Sequence, residues 1–280
     1  MDRSGLAYWE TTFAGGARAW VAPISPAPQD IAHVERQVGA LAAPSPRALL
    51  LGVTQSLAHM RWPAGTSLAA LDWSRNMIER IWRANPVPDF ACAVRGDWRE
   101  MPLASASLDV AVGDGCYLCL GSYEDAALLN REVHRALKTG GIFCQRCFAR
   151  PDKALTVDAV LDDLRAGRFP NVFLFRWMFM TAAHGVSRRG ITLDEIWRAW
   201  SERQAEARPA LERLGWQEDA AWAFGRFKGL GQRYIYPHPE ELRELAEPLF
   251  DLVEYHVPAY ERGECFPSLV MRSRAWRPRR

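Results

Sequence analysis

The sequence predicts an α/β fold with a doubly wound, mostly parallel sheet and helices on both of its faces. Two observations lead to this prediction. Short apolar runs alternate with amphipathic helical patterns between residues 47 and 148, which is typical of repeated strand–helix–strand units. The runs are also nearly continuous in apolar residues, as in strands that are covered on both faces. We therefore expect a central sheet between two layers of helices.

Five of these runs are predicted to be strands, at residues 48–53, 67–72, 90–95, 108–113 and 141–148. After the second strand, Ser74 has the residue type of an N-cap for a helix over residues 74–82. After the fourth strand, Ser122 and Asp125 have the spacing of a capping box, and Gly140 follows the last turn of the predicted helix. Connections this short between parallel strands form right-handed crossovers.

Three further parts are predicted around this core, which we place at residues 47–150. Residues 1–46 are expected to form a helical lead-in. Residues 151–235 are rich in Trp and Arg and show amphipathic helices without an obvious buried strand, so we expect a helical cap inserted into the fold. Residues 236–280 predict a last helix, an antiparallel β-hairpin that ends the sheet, and a basic tail.

The composition is that of an ordinary soluble globular protein. The chain has 280 residues, of which 49% are hydrophobic, and its 35 Lys and Arg against 33 Asp and Glu give a net charge of +2. These values exclude disordered, collagen-like and coiled-coil chains. The small net charge supplies no broad field for nucleic acid or anionic membrane, so we expect neither as a partner. The most apolar stretch contains Arg176 and is too short to span a bilayer, and the first residues lack the apolar core of a signal peptide, which predicts a cytoplasmic protein.

The six cysteines include two CxxC pairs, Cys116 with Cys119 and Cys144 with Cys147, in a pattern that resembles a zinc ribbon. The second pair lies in a predicted strand, where residues three apart point to opposite faces of the sheet. A zinc ribbon instead needs a tight turn at each pair, and neither pair has the Gly or Pro that favours one. We therefore predict buried free thiols and no metal, with Cys116 as a candidate lining residue of the cleft.

The residues that follow the strands are the candidate binding site, because ligands of open α/β sheets bind beyond the carboxyl ends of the strands. Asp72 comes about twenty residues after Gly52, the separation at which a carboxylate reaches the diol of a ribose held over the first turn. Asp97 is placed to accept from the amine of an adenine. Each aspartate alone is equally compatible with a loop cap, but acids at successive strand ends favour an adenosine site. The full candidate set is Gly52, Val53, Thr54, Asp72, Trp73, Met77, Asp97, Trp98, Asp114 and Gly115.

These residues carry a resemblance to a known family. The stretches ALLLGVTQS, LAALDWSRNMI, VRGDWREMPLASASLDVAVGDG and NREVHRALKTGGIF resemble class I S-adenosylmethionine-dependent methyltransferases, particularly the small-molecule branch that includes the ubiquinone and menaquinone C-methyltransferases. The similarity covers residues 45–150 and, more weakly, residues 236–274. It implies a Rossmann-like fold, S-adenosylmethionine as cofactor, ribose binding at Asp72, adenine binding at Asp97 and a first turn that holds the methionine half.

The first turn departs from the pattern of that family, which usually has alternating glycines preceded by an acid. Here only Gly52 is present, Thr54 and Ser56 occupy other glycine positions, and Leu50 replaces the acid. The methionine ammonium thereby loses a usual partner, and Asp114 is our candidate to replace it. The same change opposes a nicotinamide dehydrogenase, because the side chain of Thr54 would meet the pyrophosphate of a dinucleotide.

The implied reaction is in-line transfer of a methyl group to an O, N or C nucleophile of a small molecule. Such a reaction needs no essential base, since alignment of the reactants supplies much of the rate. On the acceptor side, His184 is a candidate base and Arg146 a candidate contact to a substrate carboxylate or hydroxyl, with packing and a salt bridge as their respective alternatives. A non-catalytic module that binds S-adenosylmethionine or a nucleotide stays open as a second function, and an NAD-dependent oxidoreductase as a third.

Overall fold

A seven-stranded sheet forms the centre of the protein, whose computed structural model describes Tyr8 and residues 21–275. The described strands, of which all except β6 and β7 belong to this sheet, are β1 (Arg47–Leu51), β2 (Ser67–Asp72), β3 (Ala91–Arg95), β4 (Leu108–Asp114), β5 (Leu137–Arg146), β6 (Ile191–Thr192), β7 (Arg233–Tyr234), β8 (Phe250–His256) and β9 (Ser268–Ser273). The order in the large sheet is β3-β2-β1-β4-β5-β9-β8, with β1 to β5 parallel and β9 antiparallel to both of its neighbours. The predicted Rossmann-like sheet and its terminal antiparallel pair are confirmed.

Helices cover this sheet on both faces. They are α1 (Pro28–Gly39), α2 (Gln55–Ala58), α3 (Arg75–Met77, continued by a π-helical turn over Ile78–Trp82), α4 (Cys116–Leu120), α5 (Tyr123–Ala136), α6 (Val157–Arg165), α7 (Val172–His184), α8 (Leu193–Leu214), α9 (Gln217–Gly225) and α10 (Pro239–Ala246). Within the described residues, no helix combines the length and the apolar character needed to cross a bilayer.

Two predicted helix starts are confirmed by their caps. The hydroxyl of Ser74 accepts from the backbone N–H of Met77 at 3.1 Å, and the hydroxyl of Ser122 accepts from that of Asp125 at 3.1 Å. Each bond satisfies an N–H that has no partner inside its helix. The helix after Ser122 ends earlier than predicted, because β5 begins directly after it and takes over the backbone pairing.

Alternation along the strands directs side chains into two separate cores, one on each face of the sheet. Neighbouring residues such as Leu49 and Leu50 therefore lie in different cores, and burial of each leucine contributes about 1.5–3 kcal/mol. Cys144 and Cys147 also lie in different cores, so their predicted orientation to opposite faces is confirmed. All six cysteines are free thiols.

The cap is held together by an aromatic core between α7, α8 and α9. The rings of Trp200 and Phe224 stack with centroids 4.2 Å apart, and Phe179 contacts Trp200 edge-on at 5.4 Å. The helical character predicted for residues 151–235 is confirmed. The antiparallel pair of β6 and β7 is an addition to the prediction, because strands of two residues are too short for an alternating pattern to show.

Two predicted segments fall outside the described residues. The sequence before residue 21, apart from Tyr8, includes the first part of the predicted lead-in and the residues for which no signal peptide is predicted. Residues 276–280 include the end of the basic tail. Within the lead-in, the described helix is α1, which contacts β5.

Helix α1 and strand β8 meet through two stacked imidazole rings. The centroids of His33 and His256 are 4.0 Å apart and the rings are within 6° of parallel. The carboxylate of Glu254 lies 3.6 Å from Nδ1 of His256 and 4.0 Å from Nδ1 of His33. These three residues have the spacing of metal ligands. We assign no metal to them, because a ligand lone pair lies in the plane of its ring and one ion cannot lie in the planes of two stacked rings.

Acidification is expected to destabilise the protein through His33. Burial and the neighbouring His256 lower the pKa of His33 below its ordinary value of 6.5, against the opposing effect of Glu254. The unfolded state then binds more protons than the folded state. The free energy of unfolding therefore decreases as the pH falls below about 6.5, by up to about 1.4 kcal/mol for each unit by which the pKa is lowered. The urea midpoint should fall less between pH 7.5 and 5.5 in His33→Gln than in the wild type. An equal fall would contradict this account.

Candidate functional site

A cavity of about 710 Å³ lies at the carboxyl ends of β1, β2 and β4, beneath the cap. This volume is in the range of small-molecule and cofactor sites. Of the ten residues predicted to bind cofactor, all except Asp97 line this cavity. The opposite side is lined by residues of the cap and its connections, including Arg176, Trp177, Met180, Phe227 and Tyr234. The fold thus brings the predicted cofactor residues and the cap to one space.

The first turn and Asp72 are adjacent. The N–H of Gly52 donates to the carbonyl of Leu71 at 2.8 Å, which holds the turn after β1 against the end of β2. A Cβ at Gly52 would lie 3.8 Å from Oδ2 of Asp72 and 3.7 Å from the ring of Trp98, and its φ of +89° favours glycine. Oδ1 of Asp72 accepts from the N–H of Ser74 at 2.8 Å. This arrangement fixes a carboxylate directly beside the turn.

Two tryptophans form a boundary between this cavity and a neighbouring one. The indole N–H of Trp98 donates to the carbonyl of Leu71 at 2.6 Å, which fixes its ring. Trp73, Trp98 and Cys119 line both the large cavity and a second one of about 310 Å³. Two aromatic faces at one boundary are suited to hold a flat base.

Asp97 lines the smaller cavity, not the large one. Its carboxylate accepts from the side chain of Arg99 at 2.7 and 3.0 Å and from the backbone N–H of Arg99 at 2.8 Å, and Arg99 also pairs with Asp125 at 2.8 Å. Burial alone would raise the pKa of Asp97, but the bonds from Arg99 hold it below its ordinary value. The structure therefore separates Asp97 from Asp72, and Arg99 takes much of its accepting capacity.

Asp114 lines the large cavity and belongs to a buried ion cluster. Its Oδ1 accepts from Nη1 of Arg146 at 2.7 Å, and Nε of Arg146 lies 3.2 Å from Oδ2 of Asp30. Burial and the nearby Asp30 raise the pKa of Asp114, while Arg146 opposes this effect. Tyr260 donates to Asp30 at 3.1 Å and completes the cluster.

Arg146 is placed differently from its predicted position as a substrate contact. It is 3% exposed, does not line the large cavity, and also donates to the carbonyl of Pro23. Its guanidinium lies 5.1 Å from the ring centroid of Phe266 and 5.3 Å from that of Phe148. Arg146 forms the salt bridges that were given as its alternative, because α1 and the segment before it supply partners that the sequence pattern does not show.

His184, the candidate base, also lies outside the lining of the cavity. Its Nδ1 is 3.0 Å from the carbonyl of Gly185, and its ring packs edge-on against Tyr236 at 5.2 Å. Burial lowers the pKa of His184. This placement at the end of α7 corresponds to a packing role.

The two cysteines of the first CxxC pair have different surroundings. Cys116, the candidate lining residue, is fully buried in the core of the sheet, whereas Cys119 lines the large cavity. The difference arises because α4 turns Cys116 inward. Burial, with Asp72 and Asp114, raises the pKa of Cys119 to about 12. Its thiol is therefore protonated at neutral pH.

Arg176 is the functional candidate that the sequence interpretation missed. It appears in the sequence only as the charge that interrupts an apolar run, yet it lies on the cavity wall in a helix in which nearly every residue is buried. A charged residue inside an otherwise apolar helix indicates a position on a cavity wall, because burial of a charge without a partner is energetically costly.

A family model described as "Methyltransferase domain" matches residues 50–145. The central part of the chain is similar to this domain. The match covers the end of β1, all of β2, β3 and β4 and most of β5, and so includes the strand ends at the cavity. It supports S-adenosylmethionine as the cofactor. The narrower resemblance to ubiquinone and menaquinone C-methyltransferases stays a prediction. No curated protein matches the chain.

Similar solved structures share the fold over nearly the whole chain. The CcbJ methyltransferase from Streptomyces caelestis has a TM-score of 0.52 at 16% identity, covering 97% of this chain and 98% of that one. A putative Zn-dependent alcohol dehydrogenase from Rhodobacter sphaeroides has a TM-score of 0.59 at 13% identity, covering 98% and 100%. A possible exported protein from Bordetella parapertussis has 0.52 at 13%, covering 97% and 79%. At these identities the likeness is one of fold alone.

Proposed function

We propose that the protein transfers the methyl group of S-adenosylmethionine to an O, N or C nucleophile of a small molecule. The observation that carries this proposal is the position of Asp72 beside the first turn, on the wall of a cavity that extends to an aromatic cap. A ribose over Gly52 would present its vicinal hydroxyls to a carboxylate, a group whose two oxygens can accept from both hydroxyls.

The described residues fit such a cofactor. The positive φ of Gly52 lets the backbone of the first turn approach a ligand closely. Trp73 and Trp98 offer faces for the adenine. Asp97 is a weaker candidate for the adenine amine than the sequence indicates, because Arg99 already donates to both of its oxygens.

When bound, S-adenosylmethionine would supply a methyl group activated by its sulfonium. The protein's own contribution is then to hold the two reactants in line and to exclude water. Trp177, Met180 and Phe227 provide apolar walls for the acceptor. No His or Glu is found among the described residues of the cavity lining, and burial keeps the thiol of Cys119 protonated. These features favour an acceptor that reacts by alignment, without a protein base.

Two features favour methyl transfer over the NAD-dependent alternative. The antiparallel β9 lies between β5 and β8, whereas the dinucleotide-binding fold has six parallel strands in the order 3-2-1-4-5-6. Thr54 also lines the cavity, where a dinucleotide site would need a glycine for its pyrophosphate. The small-molecule class of acceptor is supported by the enclosed cap, and the small net charge disfavours nucleic acid. The cytoplasmic location stays a prediction from the sequence.

Calorimetric titration with S-adenosylhomocysteine tests the proposed function. The product of the reaction should bind the wild-type protein at micromolar concentration, and NADH should not bind. Binding of NADH, or no binding of S-adenosylhomocysteine at millimolar concentration by folded protein, would contradict the proposal. Binding without turnover on any acceptor would favour the non-catalytic module.

Asp114 is proposed to bind the methionine ammonium. The Asp114→Asn variant should therefore lose affinity for S-adenosylhomocysteine by about tenfold, since a hydrogen bond to a charged group is worth about 1.5–3 kcal/mol. Its affinity for methylthioadenosine, which lacks the amino acid half, should stay unchanged. Equal losses for the two ligands would instead indicate a general distortion of the cavity, and no loss for either would end the assignment.

A further inference from the structure

The placement of Arg176 is unusual for an arginine. It lies in α7, in which every residue except Ala183 is buried. Arg176 is the only Asp, Glu, Lys or Arg of this helix. Its side chain is 5% exposed and lines the large cavity. A helix that is apolar on all sides normally packs as core, so a guanidinium at this position needs a specific explanation.

Among the residues that the structure describes, no side chain neutralises this guanidinium. Its Nε and Nη1 are buried without a hydrogen-bond partner, and no described carboxylate forms an ion pair with it. Two aromatic rings, Phe173 and Phe227, lie beside it, with centroids 5.8 and 5.7 Å from its central carbon. Such contacts offset only part of the cost of burying a cation.

Neither of the two acids that line the same cavity forms an ion pair with Arg176. Asp72 accepts from the backbone of Ser74, and Asp114 is paired with Arg146. Within the described part of the chain, the cavity therefore holds one buried cation without a counter-ion. A ligand that enters the cavity with a negative group would supply it.

We propose that Arg176 binds a carboxylate of the methyl acceptor, which is therefore an acid with an apolar or aromatic body. This inference rests on the proposed function and adds the substrate class. A guanidinium is the side chain best suited to a carboxylate, since it donates two parallel hydrogen bonds. S-Adenosylmethionine also has a carboxylate. We assign Arg176 to the acceptor because its neighbours Trp177 and Phe227 belong to the cap, whereas the residues suited to the nucleoside follow the strands.

The test compares an aromatic acid with its uncharged counterpart. The probes are 2-naphthoate and 2-naphthamide, titrated into wild-type protein, Arg176→Met, Arg176→Lys and the control Arg198→Met, each with and without S-adenosylhomocysteine. Arg198 is a suitable control because it lies on the cap surface, 69% exposed and paired with Asp194. We expect naphthoate to bind wild type and control at least tenfold more tightly than naphthamide. The ratio should approach one in Arg176→Met and recover in part in Arg176→Lys.

The melting temperature of the ligand-free protein separates binding from a structural role. Removal of an unpaired buried cation should raise the melting temperature of Arg176→Met by roughly 2–4 °C, because a buried charge without a partner destabilises the ligand-free protein. A lower melting temperature than wild type would show that Arg176 serves packing and would overturn the proposal. Equal binding of the two probes by wild type, or a preference for naphthoate that persists in Arg176→Met, would also overturn it.

Two further outcomes locate the source of the carboxylate. If Arg176→Met weakens S-adenosylhomocysteine but not methylthioadenosine, Arg176 binds the cofactor and the assignment to the acceptor is wrong. If wild-type protein binds no S-adenosylhomocysteine, the proposed function fails. The ratio of naphthoate to naphthamide without cofactor still decides whether Arg176 is an anion site.

Discussion

Replacement of Asp72 by asparagine is expected to weaken the binding of S-adenosylhomocysteine about 100-fold. The carboxylate is the acceptor for two ribose hydroxyls, and hydrogen bonds to a charged group are worth about 1.5–3 kcal/mol each. An amide keeps one acceptor oxygen but turns a donor toward the other hydroxyl, so a net loss of about 3 kcal/mol corresponds to about 100-fold. The remaining oxygen can still accept from the N–H of Ser74, which preserves the local turn.

A matched control is available at an exposed position. Asp251 pairs with Arg274 at 2.7 Å on the surface of the sheet edge, and Asp251→Asn should leave the affinity unchanged. Calorimetry on both variants, with melting curves to confirm folding, gives the comparison. Equal affinity of Asp72→Asn and wild type would show that Asp72 is a loop cap and would remove the ribose assignment.

Replacement of Arg146 by methionine is expected to lower the free energy of unfolding by about 3–5 kcal/mol. The substitution leaves Asp30 and Asp114 buried without their shared cation, and their carboxylates then repel each other. The loss should appear in urea unfolding at neutral pH. It should decrease at acid pH, because burial already raises the pKa of Asp114 and protonation removes the uncompensated charge.

Two companion variants separate this ion cluster from a general effect of removing an arginine. Arg274→Met removes an exposed arginine, for which we expect less than about 1 kcal/mol. The double variant with Asp30→Asn should recover part of the loss of Arg146→Met, because only one buried carboxylate is then left. A loss of less than about 1 kcal/mol in Arg146→Met, or no recovery in the double variant, would contradict the cluster as described.

The sheet and its first acid could be predicted because both depend on local pattern. Buried parallel strands are continuous apolar runs, and the residue at the end of such a strand reaches the same edge as its neighbours. Gly52 and Asp72 therefore lie together as their spacing indicates. Cys144 and Cys147 separate for an equally local reason, the alternation of side chains along a strand.

The other site residues depend on contacts that no local pattern contains. Asp97 follows its strand as predicted, but it lines the smaller cavity, where its carboxylate accepts from Arg99. Arg146 was a candidate for the substrate, but α1 packs across the sheet and supplies Asp30 as its partner. Arg176 differs from Arg146 in that the packed cap supplies no hydrogen-bond partner for its Nε and Nη1 among the described residues, which the sequence alone does not show.

A crystal structure with S-adenosylhomocysteine bound is the most direct test of the central claim. We predict that both ribose hydroxyls lie within hydrogen-bond distance of the Asp72 carboxylate, that the adenine contacts Trp73 or Trp98, and that the sulfur faces the part of the cavity beside Arg176. A nucleoside that binds elsewhere, or a ribose turned away from Asp72, would contradict the account.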